Sequence, residues 1–190
     1  MISTLFINIK KWLQIYGYEV LDLIMKPDYP EETDPRKRYK NFNYQFNHHV
    51  GTSEHFKMNQ GVDYPYLAID IECYHRTHCF DRYEVSFTVY YSTVSPASGR
   101  VCIENTPEGK LEFRDNIHCA ISNMLLHQVQ TPRGLDMRTF ADDVASLDNW
   151  YKPIRVHIQQ IEGVTAFENE HTDEVERFSF PVTLSVFTCL

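Results

Sequence analysis

Val175-Glu-Arg-Phe-Ser-Phe-Pro-Val-Thr-Leu-Ser-Val-Phe-Thr-Cys-Leu190 is the stretch that decides the fold. Phe178, Phe180, Val182, Leu184 and Val186 fall on one side of an extended chain. Arg177, Ser179, Thr183 and Ser185 fall on the other. Successive side chains of a strand point to opposite faces, so this alternation predicts a half-buried strand in an antiparallel sheet. A strand as the closing element leads us to expect a compact unit that acts through its shape.

Working back from this strand, the same pattern recurs three times. Tyr64-Pro-Tyr-Leu-Ala-Ile-Asp-Ile-Glu-Cys73 puts Leu67, Ile69, Ile71 and Cys73 on one face and Asp70 and Glu72 on the other. Tyr83 to Tyr91 alternates with Tyr83, Val85, Phe87, Val89 and Tyr91 inward, and reads as its antiparallel neighbour. Ile154, Val156 and Ile158 mark a strand that Gly163 is expected to end, forming a long-looped hairpin with the last one. Between these pairs, Thr106 and Pro107 read as the N-cap and first turn of a helix. That helix carries Phe113, Ile117, Ala120, Ile121, Met124 and Leu125 along one side.

The N-terminus reads as an amphipathic helix capped by Ser3, with Leu5, Phe6, Ile9, Trp12, Leu13 and Tyr16 in one stripe and Gly17 at its end. A short element follows at Val20–Met25. Residues 27–60 differ in kind. They are rich in Pro and Asn yet carry Tyr29, Tyr39, Phe42, Tyr44, Phe46 and Phe56, which predicts an extended arm or insertion that packs on something. Strands in pairs with helices set between them predict an α+β class. Residues 1–190 are thus expected to form one domain, a single mainly antiparallel sheet with the N-terminal and central helices packed on it.

Composition narrows the function. The net charge of −8 disfavours a protein that grips a nucleic-acid backbone. The basic run Pro35-Arg-Lys-Arg-Tyr-Lys40 reads as a solvated loop. Five cysteines (Cys73, Cys79, Cys102, Cys119 and Cys189) are irregularly spaced, and we expect reduced, mostly buried thiols. No stretch approaches the ~18 apolar residues of a membrane span.

Few residues carry a chemical signature. Asp70 and Glu72 could both reach a divalent metal from one strand face, and Ala68-Ile-Asp-Ile-Glu-Cys73 is similar to the first motif of two-metal exonucleases. A metal-dependent nuclease using Asp70 and Glu72 is therefore the alternative function. No partner motif accompanies it, since Asp142 and Asp143 lack the expected Tyr or His. Cys73, His75, His78 and Cys79 offer zinc ligand types, but one short segment cannot easily wrap a tetrahedral ion. Alternation places Cys73 and His75 on one face, the first as a small core residue and the second at the rim. His48, His49 and His55 read as polar loop histidines. We assign no catalytic, cofactor-binding or metal-binding residue and expect no enzyme activity.

The order of elements resembles the tail terminator and neck (tail completion, head–tail connector) proteins of tailed bacteriophages. The resemblance rests on the leading helix, the strand Tyr64-Pro-Tyr-Leu-Ala-Ile-Asp-Ile-Glu72, the alternating strand Tyr83–Tyr91, the helix Phe113–Gln128 and two closing strands. The arm at 27–60 and the acidic loop at 135–150 exceed that pattern. The resemblance implies a structural virion protein at the phage neck or tail end, without catalysis or cofactors, assembled in the host cytoplasm. It also implies a homo-oligomeric ring, often hexameric, seated between the tail tube and sheath and the head connector. DNA would pass through its pore without specific binding. In such a ring an edge strand is free to extend a neighbour's sheet.

Overall fold

The computed structural model describes residues 2–34, 37–58, 65–92, 103–129, 135–136, 155–167 and 175–187. Along the chain lie α1 (Ile2–Tyr16), α2 (Tyr18–Ile24), α3 (Phe42–His49), β1 (Val50–Gly51), α4 (Ser53–Met58), β2 (Tyr66–Arg76) and β3 (Phe80–Tyr91). Then come α5 (Pro107–Val129), β4 (Leu135–Asp136), β5 (Arg155–Ile161), β6 (Thr165–Phe167) and β7 (Glu176–Phe187). The strands form one sheet in the order β1-β2-β3-β7-β5-β4, with β6 also on β7. Every pairing is antiparallel except the short parallel contact of β1 with β2. This is the α+β architecture expected from the alternating strands.

The closing strand lies in the middle of the sheet, paired with β3 along its whole length. Its other side faces β5 from Val182 to Phe187 and β6 from Arg177 to Ser179. β5 and β6 are therefore two parts of one strand interrupted at 162–164, and pairing resumes beyond Gly163, where an end was expected. Pro181 accounts for the break. Its carbonyl accepts the Glu162 N–H at 3.0 Å, so its donorless nitrogen faces the same neighbour. A ladder hydrogen bond cannot form there, and the partner strand loops past.

Alternation separates the two faces cleanly. Phe178, Phe180, Val182, Leu184 and Val186 are buried with Tyr83, Val85, Phe87, Val89 and Tyr91 in one apolar cluster. Leu5, Ile9, Trp12 and Leu13 of α1, Val20, Leu21 and Ile24 of α2, and Phe113, Ile117 and Ile121 of α5 close over it. Phe113 meets Phe178 edge-on with centroids 6.0 Å apart, and Phe87 stacks on Phe180 at 5.4 Å. Each such side chain contributes roughly 1.5–3 kcal/mol through burial. Arg82, Glu84, Ser86, Thr88, Ser179 and Thr183 occupy the opposite face, whose small apolar patch is Tyr66, Ala68 and Tyr90 under Phe56 of α4.

Helix starts follow local chemistry. Thr106 accepts the Gly109 N–H at 3.1 Å on its hydroxyl, the expected N-cap bond of α5. α1 already begins at Ile2, so Ser3 sits in its first turn and is not its cap.

The described part of the 27–60 segment (27–34 and 37–58) is folded into α3, β1 and α4, not extended, and it packs on its own chain. Tyr39 and Phe46 are buried in the main core. Asp22 of α2 accepts hydrogen bonds from Arg38 and from the Tyr39 hydroxyl. Asp28 accepts the Lys40 N–H at 3.0 Å. β1 then lies beside β2, an approach that needs glycine: a Cβ on Gly51 would stand 2.0 Å from the Tyr66 hydroxyl. Tyr39 and Phe46, and in part Phe42 and Phe56, bury area on the body, whereas Tyr29 and Tyr44 stay exposed.

Candidate functional site

Asp70 and Glu72 share the polar face of β2, as their spacing predicts. Their surroundings differ. The Asp70 carboxylate accepts the Ser53 backbone N–H at 3.1 Å and a hydrogen bond from the Ser53 hydroxyl. Tyr90 in turn donates to Ser53 Oγ at 3.3 Å. Asp70 therefore anchors the first turn of α4 to the sheet. Burial, and after it the Asp70 charge, raise the phenol of Tyr66 above its ordinary value, keeping that ring neutral. Glu72 is exposed and lies directly across from Glu84. No described group of three His, Cys, Asp or Glu is placed to hold a metal ion. Asp70→Ala is expected to cost about 1–2 kcal/mol by releasing α4, a loss visible as a lower urea midpoint. Asp70→Asn should recover part of it, since an amide oxygen still accepts the Ser53 N–H.

At the far end of β2 the expected sharing of a face by Cys73 and His75 is overturned. Cys73 pairs with Tyr83, whereas His75 pairs with Arg82. A bulge at Tyr74 adds one residue to β2 and turns His75 to the polar face. Cys73 is half-buried on the helical side, where its sulfur accepts from Arg76 Nε at 3.5 Å. Tyr74 to Cys79 are all exposed. The turn is nevertheless ordered by Thr77, whose hydroxyl oxygen accepts the N–H of Phe80 at 2.9 Å and of Cys79 at 3.3 Å. It therefore displays Tyr74, His75, Arg76 and His78 on a fixed frame.

At the opposite end of the strands, α5 is joined to the sheet by charge. Lys110 donates to Glu176, Tyr91 donates to Glu176 Oε2 at 2.7 Å, and Arg114 Nη2 donates to the Tyr91 oxygen at 2.9 Å. Burial opposes ionisation of Glu176. The hydrogen bonds from Lys110 and Tyr91, with the Lys110 and Arg114 charges, outweigh it and hold the carboxyl below its ordinary value. Burial, then the bond to Glu176, push Tyr91 up to about 12, so the phenol keeps its proton.

Beside this network a cleft of about 320 Å³ opens between α2 and the first half of α5. Leu23, Ile103 and Phe113 contribute its apolar wall, and Asp22, Glu104 and Glu112 its carboxylates, against one lysine, Lys26. Neither cleft nor network was readable in advance. Their residues come from segments far apart in the chain. The available signal was Lys110 and Arg114, two cations four residues apart on one helix, which repel unless an acid lies between them.

Two of the remaining candidates, His49 and His48, have partners within the chain. His49 is buried, its Nδ1 2.8 Å from the Pro65 carbonyl oxygen. His48 packs on Tyr44 with ring centroids 4.0 Å apart. The basic run is not simply solvated, because Arg38 is tied to Asp22. The expectation of mostly buried thiols also fails. Of the described cysteines, Cys79 lies in the exposed turn, Cys119 lies on the outer side of α5, and Cys73 is half-buried. Cys102, Cys189, Asp142, Asp143 and all of the 135–150 loop except Leu135 and Asp136 lie outside the described residues. No described helix is long and apolar enough to cross a membrane. No protein-family model matches this chain, and no curated protein matches it.

Proposed function

We propose that this chain is a structural subunit of a tailed-bacteriophage neck or tail end, assembling into a ring that joins tail tube to head connector. The observation that carries the reading is the order of elements. A leading helix, a hairpin (β2–β3), a long helix (α5) and a closing hairpin (β5–β7) build one mostly antiparallel sheet with α1, α2 and α5 on one face and the short α4 on the other. That is the order on which the resemblance rests.

Charge and surface agree with it. A subunit of net charge −8 lines a pore that repels DNA phosphates, so DNA slides through without sticking. The polar sheet face offers Arg, Glu, Ser and Thr side chains for contacts between rigid plates. The expected extension of a neighbour's sheet is less favoured. β2 is bulged at Tyr74, β5 is bulged near Gln159, and the β5–β6 strand is broken at 162–164. Bulges of this kind blunt an edge against pairing. Subunits then join through side chains.

Native mass spectrometry and negative-stain imaging of the purified chain test the proposal. A closed oligomer, with six copies favoured, is the expected result. A chain that stays monomeric at high concentration and binds neither tail-tube nor connector protein overturns it. Manganese-dependent cleavage of single-stranded DNA, lost in Asp70→Ala, would instead establish the nuclease.

A further inference from the structure

A ring that closes by rotation needs two different patches on each subunit, one complementary to the other. The described surface holds such a pair at opposite ends of the strands. One is the exposed β2–β3 turn, whose neighbouring strand residues Phe80 and Phe187 mark that end of the sheet. The other is the cleft between α2 and α5, whose Phe113 packs on Tyr91 at the other end with ring centroids 5.4 Å apart. No subunit can insert its own turn into its own cleft across the length of the sheet.

The two patches are chemically matched. Residues 74–79 carry a tyrosine 51% exposed, one arginine, two histidines and no acid. The cleft carries three carboxylates against one ammonium, over an apolar wall. One of the three, Asp22, is already engaged by Arg38, which leaves Glu104 and Glu112 as the outward acids. The turn is held by Thr77 and by the Arg76–Cys73 contact, so little conformational freedom is lost when it docks. Blunted edges remove the competing backbone route.

The geometry points to the cleft between α2 and α5 as the socket for the β2–β3 turn of a second copy, with Arg76 seated against Glu112. This inference rests on the ring reading and names the joint that reading requires. The occupant is a cationic, aromatic turn of this same chain.

Charge reversal tests it, because both residues are exposed; Arg76→Glu also gives up the Cys73 contact, and Thr77 still holds the turn. Arg76→Glu and Glu112→Arg are each made alone, checked for wild-type circular dichroism, and followed by sedimentation over a concentration series. Each single variant is expected to raise the midpoint of assembly on the order of tenfold or more. An equimolar mixture of the two is expected to assemble again. In alternation the unaltered turn of Glu112→Arg meets the unaltered cleft of Arg76→Glu, and the reversed turn meets the reversed cleft, so each joint regains opposite charges in an even-numbered ring. A wild-type chain that never assembles removes the ring reading and the joint together. A wild-type chain that assembles while both single variants assemble equally well, or while the mixture stays apart, leaves the ring standing and overturns this joint.

Discussion

Phe178→Ala is expected to lower the stability of the fold by about 3–5 kcal/mol, the range for removing a buried aromatic ring. Phe178 has no exposed surface and packs against two further rings, Tyr91 and Phe113, each with centroids 6.0 Å away. These three rings come from β7, β3 and α5, so the site cannot collapse without moving the helix away from the sheet. Domains of this kind are stable by only about 5–15 kcal/mol, and the loss is a large fraction of the total. Urea titration should show a lower midpoint with an unchanged slope. Ser179→Ala, one residue along on the polar face, is the control and should change stability by less than about 0.5 kcal/mol. Equal effects from the two substitutions would mean that the alternation of β7 does not separate core from surface, and the architecture would fall with it.

Much of this was legible because period-two alternation survives any change of context. Phe178 to Val186 and Tyr83 to Tyr91 are buried where the pattern places them, and Phe113 to Leu125 cover them. What escaped reading was whatever depends on one extra residue or on distant partners. The bulge at Tyr74 leaves no signature in composition, yet it turns His75 to the other face and separates it from Cys73. The break after β5 was announced by Pro181, but on the partner strand and not at Gly163. The aromatic content of 27–60 showed that the segment packs. That its partner is its own chain depends on Asp22 and Asp28 meeting Arg38, Tyr39 and Lys40 across a turn. Asp70 looked reactive because an acid on a hydrophobic strand is unusual. In the fold it holds Ser53, on an element that alternation cannot reveal.

Replacing Glu176 by Gln should destabilise the fold by about 1–3 kcal/mol near neutral pH, and the loss should vanish in acid. Glu176 is about a quarter exposed and sits between Lys110, Arg114 and the Tyr91 hydroxyl. The neutral amide still accepts a hydrogen bond, but it leaves two part-buried cations on α5 without a counter-charge. Because the folded-state carboxyl titrates below its ordinary value of 4.5, its ionised form is the one the fold prefers. The stabilisation is therefore complete above that ordinary value. It is lost as pH falls through the lower folded value, where the unfolded chain already holds the proton. Wild type and Glu176→Gln should then differ most near neutral pH and converge in acid, below the lowered folded-state value, in paired urea titrations. Tyr91→Phe removes one donor and leaves the carboxylate paired with Lys110, so its penalty should be smaller and should fade over the same range. A Glu176→Gln penalty that stays constant from neutral to acid pH would assign the loss to packing and deny the carboxylate its place between the cations.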